Sequence, residues 1–145
     1  MSTPKPLRLR AQSSDDLPAL SAALQDAVCQ IADLHYQAQS QQFTLAVNRF
    51  CWERDARGEG YRVRSGLQIG EVRSVQSKNL KIGAKDAVLS LLSVQFEASD
   101  APSGHIIFTF SGGGALRLDV ECIDMALADV SEPWKALARP DHSDA

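Results

Sequence analysis

The stretch Gly104-His-Ile-Ile-Phe-Thr-Phe-Ser-Gly-Gly-Gly-Ala-Leu-Arg-Leu-Asp-Val-Glu-Cys-Ile123 decides the fold. Apolar residues occupy every second position before the three glycines, and the same alternation resumes after them. A period of two is the pattern of a β-strand with one buried face. Two such strands around a short glycine loop predict a hairpin, and therefore an antiparallel sheet that is solvated on one side.

The parity of the apolar residues also predicts the register of this hairpin. Both apolar sets lie on one face if Phe108 pairs with Leu118, which leaves residues 112–114 as a three-residue loop. Such a loop needs a residue with positive φ, and glycine adopts that conformation without steric cost.

The residues before the hairpin predict one helix and further strands. A short strand covers 7–11, and Asp15 then caps a helix with Pro18 in its first turn. The apolar residues of this helix recur at helical spacing and should pack on the sheet: Leu17, Leu20, Leu24 and Val28.

Further alternating segments predict the rest of the sheet. Residues 32–36 and 43–47 should form a hairpin in which Tyr36 pairs with Phe43. Other strands are expected near 61–69, 72–75, 88–96 and 125–130, and in the third of these one face carries Val88, Leu92, Val94 and Phe96. Ser131-Glu132-Pro133-Trp134 predicts the start of a short last helix, which Arg139-Pro140 ends.

Together these elements predict an α+β domain dominated by a curved, mostly antiparallel sheet of about six to eight strands. The sheet would be a half-open barrel, with the N-terminal helix packed on it and a short C-terminal helix. A pleckstrin-homology-like barrel is the alternative. The length predicts a single domain over 1–145, with loosely held ends near 1–6 and 140–145.

Charge is distributed unevenly along the chain. The net charge is −3, which argues against a nucleic-acid partner. Residues 49–85 nevertheless carry nine basic against four acidic side chains, whereas residues 86–145 carry three against ten. The basic run is either an ordinary solvated surface or a polarised face for an anionic partner.

Cysteine usage and hydropathy bear on compartment. The three cysteines have no CxxC spacing, so we expect reduced thiols without a disulfide in a cytoplasmic protein. No apolar segment follows the first residues as a signal peptide would require. The longest apolar stretch, 87–96, is shorter than the about 20 residues that span a bilayer, so no membrane association is expected.

No motif in the sequence indicates a catalytic residue, a cofactor or a metal. The triple glycine is followed by a strand rather than by the helix of a phosphate-binding loop. The three histidines lack metal-ligand spacing. The sequence therefore leans against an enzyme.

The segment Asn48-Arg49-Phe50-Cys51-Trp52 is the candidate binding site. Polar residues interrupt an apolar strand where the apolar phase changes, which predicts a bulge or a strand end at 48–49. Arg49 would either serve structure, paired with a carboxylate or an aromatic ring, or line an anion or peptide site with Trp52. Arg62 and Arg64 of the nearby strand would contribute to that site.

Several of these motifs in combination resemble a small uncharacterised bacterial domain family of unknown function. The resemblance covers nearly the whole chain from about Leu7. Its residues are Asn48-Arg49-Phe50, Trp52-Glu53, Gly66-Leu67, Leu89, Leu91-Leu92, Phe108, Phe110, Gly112-Gly113-Gly114, Leu116, Leu118, Val120-Glu121-Cys122-Ile123, Leu127, Asp129, Pro133-Trp134, Arg139-Pro140 and His142. The resemblance implies one structural unit and brings no assigned activity.

Two functions remain in competition. The first is a non-enzymatic binding or adaptor module that meets a protein partner through a sheet edge or the basic central surface. The second is a small-molecule-binding protein or an enzyme with a pocket near Arg49 and Trp52. The absence of a recognisable nucleophile–base pair in the sequence favours the first.

Overall fold

The computed structural model describes residues 6–52 and 60–135, which form one α-helix and eleven β-strands. Every strand pair among them is antiparallel, which confirms the α+β class. More strands form than the expected six to eight, since several contain only two to four residues. The elements are β1 (Arg8–Ala11), α1 (Leu17–Leu24), β2 (Val28–Gln30), β3 (Leu34–Gln37), β4 (Gln42–Phe50), β5 (Tyr61–Ile69), β6 (Val72–Lys78), β7 (Val88–Ala98), β8 (Gly104–Phe110), β9 (Ala115–Val120), β10 (Met125–Asp129) and β11 (Trp134–Lys135).

The sheet is continuous but open. Its strands follow the order β1-β10-β5-β4-β2-β7-β8-β9-β6, with β3 beside β4 and β11 beside β5. Within the described residues β1 and β6 end this path without pairing to each other, so the sheet is not a closed barrel. The pleckstrin-homology-like alternative is therefore wrong.

A corner folds one half of the sheet over the other. Strand β5 continues into β6 at Gly70 and Glu71, and β9 continues into β10 opposite them. Gly70 N–H donates to the Asp124 carbonyl over 2.9 Å, and Glu121 N–H donates to the Glu71 carbonyl over 3.0 Å. The two halves enclose one apolar core, in which the rings of Phe43 and Phe108 lie 6.5 Å apart.

Helix α1 closes one side of this core, with Leu17, Leu20 and Leu24 buried as expected. Two boundaries differ from the prediction. The N-cap is Asp16 rather than Asp15, and Val28 belongs to β2 rather than to the helical stripe. The helix ends early because its C-cap residue is extended and the next residue is left-handed, after which residues 26 and 27 bond to Leu91 of the sheet.

The hairpin of β3 and β4 confirms the predicted pairing of Tyr36 with Phe43. The bulge or strand end expected at residues 48–49 is wrong. Strand β4 pairs with β5 in unbroken register to Phe50, and Arg49 keeps the inward register of the apolar residues before it. A buried arginine at an inward position therefore gives the same sequence pattern as a change in the phase of the apolar alternation.

The glycine hairpin is present, but its predicted register is wrong by two residues. Phe108 pairs with Leu116 rather than with Leu118. Gly112 and Gly113 adopt φ of 81° and 89°, and the turn closes where Phe110 N–H donates to the Gly114 carbonyl over 2.8 Å. The loop therefore covers residues 111–113 instead of 112–114. The pairing shifts by an even number, so Phe108 and Leu118 are both buried on the expected common face.

Strand β7 contains a bulge of the kind that the sequence predicts at residues 48–49. Its register with β8 shifts between Leu91 and Ser93. Leu91 and Val94 are consequently buried, whereas Leu92 is 43 % exposed instead of sharing a face with Val94. A bulge adds one residue and changes the face on which later side chains lie.

The predicted C-terminal helix does not begin at Pro133. Trp134 and Lys135 instead form β11, which pairs with Arg62 and Tyr61 of β5. The rest of the predicted helix and the expectation for the last residues lie outside the described residues, as do residues 1–5 of the N-terminal end.

Candidate functional site

The structure separates the predicted site residues onto two faces of the sheet. Strands β4 and β5 pair Asn48 with Arg64 and Phe50 with Arg62, and cross-strand partners lie on the same face. This is the outer face, opposite the core. Arg49 lies on the core face, and Trp52 follows the end of β4.

Arg49 is fully buried, with 0 % of its surface exposed. Its guanidinium forms a two-pronged ion pair with Asp129 of β10, in which Nε and Nη2 each donate over 2.9 Å to a carboxylate oxygen. The Asp129 side chain is 3 % exposed. A bidentate arginine–carboxylate pair is among the stronger hydrogen-bonded arrangements in proteins.

Other groups complete the coordination of Asp129. The Ser65 hydroxyl donates to Oδ1 over 2.7 Å, and Leu7 N–H donates to Oδ2 over 2.7 Å. Burial, the largest single influence, raises the pKa of Asp129. The hydrogen bonds from Arg49, Leu7 and Ser65 and the arginine charge together outweigh it and hold the pKa below the ordinary value. Asp129 is therefore ionised in the folded protein and fastens the segment before β1 to the sheet.

Arg64 lies on the outer face and is also paired. It donates to the Asp33 carboxylate over 2.9 Å and to the Asn48 side-chain oxygen over 3.1 Å. The two charged side chains are 36 % and 20 % exposed, so solvent screens the pair. Asn48 and Asp33 thus fix the position of Arg64.

Arg62 lies beside Arg64 and has a different environment. Its Nη1 donates to the carbonyls of Asn48 over 3.1 Å and Asp26 over 3.5 Å, and its guanidinium lies 5.9 Å from the centre of the Phe50 ring. No carboxylate of the described residues forms an ion pair with Arg62. The cation is held in place without a neutralising carboxylate in the part of the chain that the structure describes.

Two exposed apolar residues that sequence reasoning missed border Arg62 and Arg64. Trp134 pairs with Arg62 across β11 and β5 and is 41 % exposed. Val130 donates its N–H to the Arg64 carbonyl over 2.7 Å and is 66 % exposed. The only signal for Trp134 was an apolar residue after a proline, which predicted a helix. We call the surface formed by Asn48, Arg62, Arg64, Val130 and Trp134 the outer patch.

Trp52 is connected to the outer patch through Phe50, whose ring contacts both Trp52 and Arg62. Its indole Nε1–H donates to the Gln25 carbonyl over 2.9 Å, and its ring packs 4.6 Å from that of Phe50. It borders an apolar groove of about 330 Å³, whose other lining residues are Leu7, Leu9, Ala19, Ala22 and Ala23. Arg49 does not line this groove.

Two observations concern catalytic and metal chemistry. Within residues 6–52 and 60–135, no group of three or more His, Cys, Asp or Glu side chains is placed to hold a metal ion. Burial, and after it the neighbouring Asp33, raises the pKa of the Cys29 thiol to about 12. Cys29 is therefore a protonated core residue at neutral pH and not an activated nucleophile.

The comparison with protein families accounts for most of the sequence. Residues 7–142 match the model of DUF2948, which is described as a protein of unknown function. The chain belongs to the DUF2948 family. The predicted resemblance to an uncharacterised domain family is confirmed. No curated protein and no solved structure matches this DUF2948 chain.

The described residues of this DUF2948 chain contain one α-helix. Helix α1 has eight residues, and no helix in the described part of the chain has the length and apolar character needed to cross a bilayer. The outer patch and the groove beside Trp52 are both surface features of the sheet and of α1.

Proposed function

We propose that this DUF2948 protein is a non-enzymatic binding module whose outer patch takes an acidic segment of a protein partner. The proposal depends on the environment of Arg62. Backbone carbonyls and the Phe50 ring hold its guanidinium in place, yet no carboxylate among the described residues neutralises it.

The remaining donors of Arg62 fit a carboxylate. Nη1 binds the two carbonyls, whereas Nε and Nη2 have no hydrogen-bond partner within the described residues. An arginine presents its donors in a planar fork that matches the two oxygens of a carboxylate. Because the Arg62 side chain is already ordered, its binding to a ligand costs less side-chain conformational entropy than the binding of a mobile arginine would.

The apolar members of the patch favour a protein segment over a small anion. Trp134 and Val130 expose apolar surface beside Arg62 and Arg64, both on the side of β5 away from β4. Tryptophan and arginine are enriched among the residues that dominate protein interfaces. A partner with an acidic residue next to an apolar one would satisfy Arg62 and cover Trp134 together.

Affinity purification with matched variants tests this function. The wild-type protein, Arg62→Gln and Arg73→Gln would be used as baits in lysate of the cells that produce the protein. Arg73 is the control because it is also an arginine on an exposed strand, but it pairs with Asp119 over 2.9 Å. The partner should be lost with Arg62→Gln and kept with Arg73→Gln.

The same partner then identifies the recognised segment. Overlapping peptides from it, with each Asp or Glu changed to Asn or Gln, should show binding that depends on one acidic position. A partner that is retained equally by both variants, or that binds through a segment without acidic residues, would refute the proposal.

A second candidate function rests on the groove beside Trp52. A largely apolar groove of about 330 Å³ has a size suited to a small apolar molecule. Titration with dodecanoate should quench Trp52 fluorescence in a Trp134→Phe background if the groove binds such molecules. An unchanged spectrum would refute this second function, and protein binding would remain as the single proposal.

A further inference from the structure

We propose that the edge of β7 facing α1 is a second binding site, which takes an extended basic peptide segment as an added β-strand. This site is separate from the outer patch and does not depend on it. It is defined by the backbone of residues 96–98 and by the groove that residues 92–97 of β7 form with α1.

Among the described strands, none pairs with one side of β7 along half of its length. Strand β2 pairs with β7 only at Val88, Leu89 and Ser90. The backbone of residues 26 and 27 then bonds to Leu91. Beyond Leu91 no described strand pairs on this side, although β8 pairs on the other side as far as Ala98.

Two hydrogen bonds establish which backbone groups face the open side. Ser99 N–H donates to the Ser103 carbonyl over 3.0 Å, toward the β8 side. Val94 N–H donates to the Ser21 hydroxyl of α1 over 3.0 Å, in the opposite direction. Backbone groups alternate along a strand, so the N–H and C=O groups of Phe96 and Ala98 also face α1.

Phe96 lines a groove large enough for a peptide, and Ala98 directly follows Glu97, its last lining residue on β7. The groove encloses about 620 Å³ between α1 and residues 92–97 of β7. Ser21 and Ala22 line the helix side of the groove with small side chains. Because Ser21 already binds the Val94 N–H, the donors and acceptors available to another extended chain are those of Phe96 and Ala98, about 7 Å apart, and they have the spacing used in recognition by strand addition.

The charge at the groove indicates a basic segment. Glu97 is the one charged residue among the described residues that line it. Asp15 and Asp16 lie in the exposed turn next to Ser14, which also lines the groove. A lysine or arginine of the added strand would therefore meet a carboxylate at this end of the groove.

Hydrogen exchange of the protein alone tests the open edge first. The amides of Phe96 and Ala98 should exchange much faster than those of Gln95 and Glu97, because only the latter pair donates toward β8. Equal protection of all four amides would show that another segment of the chain already covers the edge and would overturn the proposal.

A random octapeptide display library, selected on the whole protein, tests the ligand. Enriched peptides should be basic with alternating apolar residues. One such synthetic peptide should shift the amide signals of residues 94–98 in NMR titration and slow exchange at Phe96 and Ala98. A copy N-methylated at alternate amides keeps the side chains but cannot pair, so it should not bind.

Matched variants locate the site. Ala22→Phe should weaken peptide binding by about tenfold, because the ring fills the groove. Ala19→Phe is the control, since Ala19 is exposed on the same helix and lines only the groove beside Trp52. Glu97→Lys should weaken binding by about threefold, and Glu121→Lys, an exposed position elsewhere, should not.

Three further outcomes would overturn the proposal. The first is a library that yields no enriched peptide. The second is an N-methylated peptide that binds as well as its parent, which would exclude pairing of backbones. The third is the appearance of the same amide shifts when the protein alone is concentrated, since the edge would then pair with a second copy of the chain.

Discussion

Two arginines on neighbouring strands show how the face of a sheet decides what a charged residue does. Arg49 of β4 is directed into the core, where Asp129 and Ser65 take up its donors. Arg62 of β5 is directed outward, where it meets carbonyls and a ring but no carboxylate of the described residues. The buried cation must be compensated for the protein to fold, whereas the outer cation can wait for a ligand.

The strongest test of this contrast is the removal of Arg49. Arg49→Met should destabilise the protein by about 3–5 kcal/mol, because Asp129 would remain as a buried charge without its cation. The urea unfolding midpoint measures the change. The double variant Arg49→Met with Asp129→Ala should cost clearly less than the sum of the single variants. Additive effects, or a single variant as stable as wild type, would show that the pair does not stabilise the fold.

Acid sensitivity gives the next largest effect. The folded pKa of Asp129 lies below its ordinary value of 3.8, so protons bind the unfolded state more readily. The stabilisation is fully present above pH 3.8 and is lost as the pH falls through the lower folded pKa. Urea titrations from pH 6 downward should therefore show a shallower acid dependence for Asp129→Asn than for wild type. Parallel curves would contradict this assignment.

Arg62→Gln should have a smaller effect on stability. The substitution removes hydrogen bonds to two carbonyls and a contact with the Phe50 ring, which together should change the free energy of unfolding by no more than about 1.5 kcal/mol. The same variant should lose the partner of the outer patch. A destabilisation as large as that of Arg49→Met would mean that Arg62 is a structural residue, and the contrast between the two faces would fail.

The three cysteines allow buried and accessible side chains to be compared by their reactivity, without a change in the stability of the protein. Titration of the denatured, unreduced protein with a thiol reagent should find the three thiols of Cys29, Cys51 and Cys122. In the folded protein, Cys122 should react first because it is half-buried, whereas Cys29 and Cys51 are buried. A single reactive thiol after denaturation would indicate a disulfide.

Local pattern was a reliable guide where neighbouring segments pair with one another. The pairing of Tyr36 with Phe43 followed from alternation across a short connection. In the glycine hairpin, alternation predicted the shared face of Phe108 and Leu118, but the turn geometry set the partners. Face is a property of each strand, whereas register also depends on how the backbone closes the loop.

Alternation predicted the wrong face or a false break where a polar residue is buried or an apolar residue is exposed. Arg49 was interpreted as a break in β4, because a charged residue in an inward position has no local signature. The sequence predicts Leu92 on the inward face of β7, because apolar residues before and after the bulge obscure the change of phase. The sequence therefore predicts Arg49 and Trp52 as site residues, although neither belongs to the outer patch. It does not predict Trp134 and Val130, which do.

The sequence by itself determined the antiparallel α+β class, the helix at the N-terminal end, the inward faces of most strands and the family. These features depend on alternation and capping within short segments, so they can be derived residue by residue. Only the tertiary structure decided that Arg49 meets Asp129, 80 positions away, and that β11 places Trp134 beside Arg62. Contacts of this kind depend on which strands become neighbours, and local periodicity carries no information about that order.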